Sequence, residues 1–189
     1  MPSSIRVKSV LRAEVRAQAA ALPPEVRRES DRALAGRFLA LPQVEEAETL
    51  LLFRGVGTEP DTLPILEALW RAGKRVLLPK CLPGRAMAAR AVTGPGGLVP
   101  GAFGIPEPGE DCPEVEKGRI DLILVPALCY DRARFRLGQG GGYYDRYLAD
   151  YRGETVGLCR NALLRERLPA EPHDRPVGLV LTETERFCV

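Results

Sequence analysis

Two kinds of apolar pattern alternate along the chain. Over residues 6 to about 22, Val7, Val10, Leu11, Val15 and Leu22 recur at helical spacing and form one stripe, into which Glu14 also falls. Lys8 and Arg12, four apart, lie along one edge of that stripe. Pro23 and Pro24 break the helix, and a second runs roughly over 25–41 with Val26, Ala33, Leu34, Phe38 and Leu41 inward. The pattern then changes to short continuous apolar runs. Residues 49–54, 75–79, 120–126, 155–159 and 177–181 read as buried strands, and 87–92 as a candidate further strand. Between the first two, Gly55 and Gly57 open a loop, Asp61 or Thr62 is placed to cap a helix reaching about Arg71, and Gly73 stops it. Residues 93–101 are Gly/Pro loop, and a long loop over 131–142 leads into a helix from Tyr143 to about Tyr151.

Strands that alternate with helices, each strand apolar on both faces, predict an α/β protein. The expected architecture is a three-layer α/β/α sandwich around a mostly parallel, Rossmann-like sheet. The chain has 189 residues, 45% apolar and 28% charged, with no internal repeat or linker, so one domain over 1–189 is expected. No run of about 18 apolar residues suggests a membrane span. The opening MPSSIRVKSVLR lacks an apolar signal core, so the expected compartment is the cytoplasm.

Net charge is +2, which gives no electrostatic footprint for nucleic acid. The five cysteines form no C-x-x-C pair, and the single histidine, His173, leaves no material for a His-rich metal site. None of the cysteines has an activating neighbour in sequence, and His173 is read as a surface residue.

The strongest chemical signal is the run from Arg136 to Arg146, R-L-G-Q-G-G-G-Y-Y-D-R. Gly138, Gly140, Gly141 and Gly142 permit positive φ and close approach of backbone to a ligand. The loop feeds a helix start, where free N–H groups favour phosphate, and Arg136 adds a guanidinium fork. Asp145 is placed to cap that helix or to bind Mg²⁺. The run is not a Walker A loop, since no G-K-[ST] follows, nor a dinucleotide fingerprint, since its glycines are wrongly spaced.

This run resembles the signature of the 5-formyltetrahydrofolate cyclo-ligase family. Three further segments agree, in the family's order: K-x-x-L-R at Lys8 to Arg12, E-x-x-T at Glu59 to Thr62, and [FW]-x-I-P-x-P at Phe103 to Pro108. The resemblance implies an enzyme that uses ATP and Mg²⁺ to convert 5-formyltetrahydrofolate into 5,10-methenyltetrahydrofolate, with release of ADP and phosphate. It implies that Lys8 and Arg12 hold ATP phosphates, together with Arg136, Leu137, Gly138, Gln139, Gly140, Gly141, Gly142, Tyr143 and Tyr144. Arg136 would also act in catalysis. Arg54 and Glu59 would contact the folate, with Phe103, Tyr143 and Tyr144 walling its pterin ring. Asp145 and Asp174 would hold the metal, Asp174 by its position before the last strand alone. Lys80, after a strand, is a further candidate to face the phosphates. A monomer or weak homodimer without nucleic-acid or membrane partners is expected. Two other readings stay open: a non-catalytic relative that binds folate or nucleotide, and a sugar-phosphate enzyme of similar architecture.

Overall fold

The computed structural model describes residues 4–101, 104–171 and 174–188. Seven strands form the central sheet: β1 (Thr49–Leu51), β2 (Arg75–Leu82), β3 (Ala86–Ala91), β6 (Leu122–Val125), β9 (Glu154–Leu158), β10 (Leu179–Leu181) and β11 (Arg186–Cys188). Their order is β11-β10-β9-β6-β1-β2-β3. The five inner strands are parallel, and each edge strand folds back antiparallel on its neighbour. Two small antiparallel pairs stand apart: β4 (Leu98–Pro100) with β5 (Pro106–Pro108), and β7 (Cys129–Tyr130) with β8 (Arg136–Leu137).

Every residue of β1 and β6 is buried, as expected of strands covered on both faces. One face, with Leu50, Leu78, Leu124 and Val156, packs on α2 (Pro24–Leu39), α3 (Pro42–Glu46) and α4 (Leu63–Arg71). The other face, with Leu51, Leu77, Ile123 and Val180, packs on α1 (Ser4–Ala21), α5 (Tyr143–Tyr147) and the β7–β8 pair. The three-layer α/β/α sandwich expected from the pattern is the architecture found.

Local chemistry sets the boundaries. Pro24 opens α2, with Glu25 in its first turn and Arg37 in its last, both favourable to the helix dipole. Asp61 Oδ1 accepts the Leu63 N–H at 3.0 Å at the start of α4. Thr62 turns the other way: its hydroxyl donates to the Phe53 carbonyl at 2.6 Å and accepts the Gly55 N–H at 2.9 Å. Gly73 ends the helix, its N–H on the Trp70 carbonyl and the Lys74 N–H on that of Leu69.

Several expectations shift. The buried stripe of α1 is Val15 and Ala19 with Leu11 half-buried, whereas Val10 is 64% exposed and Val7 also faces out. Val26 is exposed too, and α2 buries Ala35 rather than Ala33. Helix α5 ends at Tyr147, four residues before the expected Tyr151, because the next residues turn into β9. Within the expected long loop lies β8, which pairs with β7 just before the loop, and the turn between them is tied by buried Asp131: its Oδ1 accepts the Phe135 N–H and its Oδ2 the Leu168 N–H.

Tyr130 of β7 is fully buried, donates to the Val125 carbonyl at 2.7 Å, and lies flat on Gly157 of β9. A Cβ at 157 would stand 2.3 Å from the tyrosine ring. Gly157→Ala is expected to cost about 2–3 kcal/mol by overpacking and to lower the melting temperature by roughly 5–10 °C. A thermal melt showing no loss would contradict this packing account.

Candidate active site

Strand β1 is followed in the sheet by β2 on one side, and β6 then starts the other half on its opposite side. Order therefore reverses between β1 and β6, and ligands of open α/β sheets bind beyond the carboxyl ends of strands at such a point. The loop carrying Glu59 leaves β1 there. The chain leaving β6 forms the β7–β8 pair and then the glycine loop.

Gly140 and Gly142 both have positive φ, +100° and +72°, which L side chains rarely adopt. The Arg12 guanidinium lies over Gly140, and its Nε donates to the Gly138 carbonyl at 2.8 Å. Arg16, one turn on, donates from Nη2 to Gln139 Oε1 at 2.7 Å. Helix α1 thus holds the loop from outside. The five-residue α5 carries little dipole, so backbone N–H groups and these arginines supply most of the positive field.

Lys8, expected to hold phosphate, is paired here with two carboxylates. Its Nζ donates to Asp174 Oδ2 at 2.7 Å and to Glu171 Oε2 at 3.1 Å. Burial works against its charge, but those carboxylates outweigh it and raise its pKa above the usual 10.5. Arg136, largely buried, pairs with Asp145 and also reaches the Arg175 carbonyl at 3.4 Å. It therefore links the glycine loop to the segment that carries Asp174. Leu137 is core, paired with Cys129 across β7–β8.

Glu59 meets the glycine loop directly. Its Oε1 accepts from Gln139 Nε2 at 3.1 Å and its Oε2 from the Val56 N–H at 3.2 Å. Burial raises its pKa above the ordinary 4.5, and the two hydrogen bonds pull the other way. Behind it lies Arg160, which reading of the sequence did not single out. Arg160 is 2% exposed and pairs with Asp31 at 2.8 Å, and its two terminal nitrogens donate to the carbonyls of Arg27 and Glu59. Arg54 turns to Asp61 at 2.9 Å and to its neighbour's carbonyl, not toward Glu59's carboxylate.

Tyr143 and Tyr144 follow the loop. The Tyr144 hydroxyl is buried with no hydrogen-bond partner among the described residues, and burial, then the charge of Glu59, push its pKa far up. It stays a neutral donor with a proton to give. Tyr143 stands near Cys81, whose other neighbour is Glu107; burial and that carboxylate push the Cys81 thiol up to about 11. No thiolate nucleophile is to be expected there. Lys80 is drawn to the buried Glu107 at 3.6 Å. Phe103 and His173 lie outside the described residues.

The residues fit Mg²⁺ in a particular way. Asp145 and Asp174 are hard oxygen donors, and Asp145 is half-exposed beside the loop. Among the described residues no three His, Cys, Asp or Glu converge as a cage. A cation held here would therefore take its remaining ligands from phosphate and water, as Mg²⁺ commonly does. Among the described residues no helix is long and apolar enough to cross a membrane.

The model of the 5-formyltetrahydrofolate cyclo-ligase family matches residues 4–183. A 5-formyltetrahydrofolate cyclo-ligase of Escherichia coli strain K12 is 36% identical over 177 residues, covering 90% of this chain and 97% of that protein. One from Mycolicibacterium smegmatis is 36% identical over 186 residues, covering 95% of each. Among solved structures, the 5,10-methenyltetrahydrofolate synthetase of Aquifex aeolicus superposes with a TM-score of 0.86 at 32% identity, covering 95% of this chain and 91% of that one.

Proposed function

The chain belongs to the 5-formyltetrahydrofolate cyclo-ligase family of enzymes, and from that premise we propose that it closes 5-formyltetrahydrofolate to 5,10-methenyltetrahydrofolate at the expense of ATP. The observation that carries the reading is one continuous chain of bonds. Arg16 holds Gln139, and Gln139 holds Glu59, so a phosphate cradle and a half-buried carboxylate share a side chain. A nucleotide on the loop and a pterin on Glu59 would stand next to each other.

The chemistry needs that proximity. An N-formyl carbon is a poor electrophile. Its oxygen attacks the terminal phosphorus of ATP, the phosphoanhydride bond breaks, and ADP leaves. The formyl carbon now carries a phosphate leaving group. The N10 lone pair attacks it, the N10 proton passes to solvent, the C–O bond breaks, and inorganic phosphate departs with that oxygen. Such transfers depend mainly on positioning and neutralisation of charge.

The chain's residues divide this work. Arg12, Arg136 and the backbone N–H groups of residues 138–142 receive the phosphates, and Lys8 fixes the segment carrying Asp174. Asp145 and Asp174 would hold Mg²⁺, which when bound neutralises phosphate charge. Glu59 accepts the pterin's N–H donors. The unpartnered Tyr144 hydroxyl is available to the substrate, and Tyr143 offers a ring face. A sugar-phosphate enzyme would leave the bond from Gln139 to Glu59 unexplained.

The test is absorbance of the methenyl product. A rise that requires protein, ATP, Mg²⁺ and 5-formyltetrahydrofolate together is expected, and a rise without ATP would refute the mechanism. A pH dependence follows. Because the Glu59 acid is held above the ordinary carboxylate value, its ionised form disappears at a higher pH than an exposed glutamate's. The folate KM is expected to rise as pH falls through that raised value. Glu59→Gln is expected to raise KM about tenfold, the loss of one charge-assisted hydrogen bond, and to flatten this acid limb. An acid limb that persists in the variant would assign it elsewhere.

A further inference from the structure

Beside Glu59, on the side away from the glycine loop, an open cleft of about 350 Å³ runs between α2 and the 55–61 loop. That volume lies in the range of small-molecule sites. Four guanidiniums line it, those of Arg27, Arg28, Arg54 and Arg160, against three carboxylates, Asp31, Glu59 and Asp61. The acids are already engaged: Asp31 with Arg160, Asp61 with Arg54, and Glu59 with Gln139 and the Val56 N–H. Arg28 pairs only with Glu25 at 3.2 Å, both side chains about two-thirds exposed, a contact water largely screens. The half-buried Arg27 guanidinium has no hydrogen-bond or ion-pair partner among the described residues.

We propose that this cleft receives the carboxylate end of the substrate: the aminobenzoyl ring on Val56 and the glutamate carboxylates on Arg27 and Arg28. The inference rests on the folate reading above. Three observations carry it. The positive charge left unspent in the cleft belongs to Arg27 and Arg28. Val56, 37% exposed, offers an apolar ledge in the same cleft. A single guanidinium, that of Arg160, binds the carbonyls of both Arg27 and Glu59, at 3.2 and 3.3 Å, which fixes the arginine end of the cleft against the carboxylate proposed for the pterin. A ligand with a donor-rich ring, a flat spacer and a dicarboxylate matches this set of groups.

The experiment compares 5-formyltetrahydrofolate with 5-formyltetrahydropteroate, which lacks the glutamate. The intact protein is expected to show a KM about tenfold lower for the glutamate-bearing substrate, the effect of two partly solvated ion pairs. In the Arg27→Gln/Arg28→Gln double variant that ratio is expected to fall to about one, with the ATP KM unmoved, whereas the remote Arg71→Gln retains it. Calorimetry with p-aminobenzoylglutamate, which needs neither ATP nor turnover, is expected to detect binding to the parent protein and not to the double variant. If p-aminobenzoylglutamate binds in this Arg27-dependent way while ATP-driven turnover is absent, the proposed reaction fails and the cleft assignment stands. A ratio that survives in the double variant, a parent protein that does not discriminate, or inorganic phosphate binding the cleft as tightly as p-aminobenzoylglutamate would overturn the assignment.

Discussion

Arg136→Ala is expected to lower turnover about a thousandfold, in the range seen when one preorganised cation or donor is removed from a phosphoryl-transfer site. Arg136 is set by covalent and hydrogen-bonded neighbours on every side. It pairs with Tyr130 across β7–β8, whose turn is held by Asp131. Its guanidinium spans Asp145 and the Arg175 carbonyl, which sets the fork between the glycine loop and the segment that carries Asp174. Its removal strands Asp145, but that carboxylate is half-exposed and hydrated, so the stability cost is expected to stay near 1 kcal/mol. Arg136→Lys keeps the charge without the fork and is expected to recover only about tenfold. Steady-state kinetics beside a thermal melt decides: parental turnover in the alanine variant would remove Arg136 from the chemistry.

The second large effect is expected at Gly55. A Cβ there would stand 2.0 Å from the Pro60 carbonyl oxygen and 3.1 Å from its carbon, both backbone atoms that cannot rotate away. Thr62 pins the same turn by bonding Phe53 and Gly55, so the loop has no slack. Gly55→Ala must push residues 56–60 outward. That breaks the approach of Val56 N–H and Gln139 to Glu59, at an overpacking cost of about 1–3 kcal/mol. Folate affinity is expected to fall roughly 5- to 150-fold by that cost. ATP affinity should move little, because the glycine loop keeps its holds on Arg12 and Arg16. Separate calorimetric titrations test this; equal losses for both ligands would mean that the loop supports the whole site rather than the folate side.

These two positions mark how far the sequence could be read. The apolar runs that became β1, β6 and β9 needed no tertiary information, since a strand buried on both faces announces itself. Gly55 reads as an ordinary loop residue until the fold brings Pro60 against it. Arg160 was illegible for a similar reason. It follows a strand as a charged residue would at any surface, and only the meeting of α2 with the Glu59 loop buries it. In α1 the valines suggested an inward stripe, but Val15 and Ala19 are buried while Val10 is left outside. Alanine gives a weak periodic signal, and a helix that must also lay Lys8, Arg12 and Arg16 across a loop has only a narrow face to spare. Within the site, the resemblance carried the residue types. It did not carry their partners, such as Glu107 for Lys80 or the carboxylate pair for Lys8.

Those contacts of α1 also set an order in time. Lys8 meets Asp174 across 166 positions of chain, and Arg12 meets Gly138 across 126. A ribosome releases α1 well before either of these counterparts. While they are still inside the exit tunnel, the face of α1 that carries these cations lacks these partners. The inner parallel strands, apolar on both faces, can pair without α1, whereas the hold of α1 on the glycine loop has to wait for the second half of the chain.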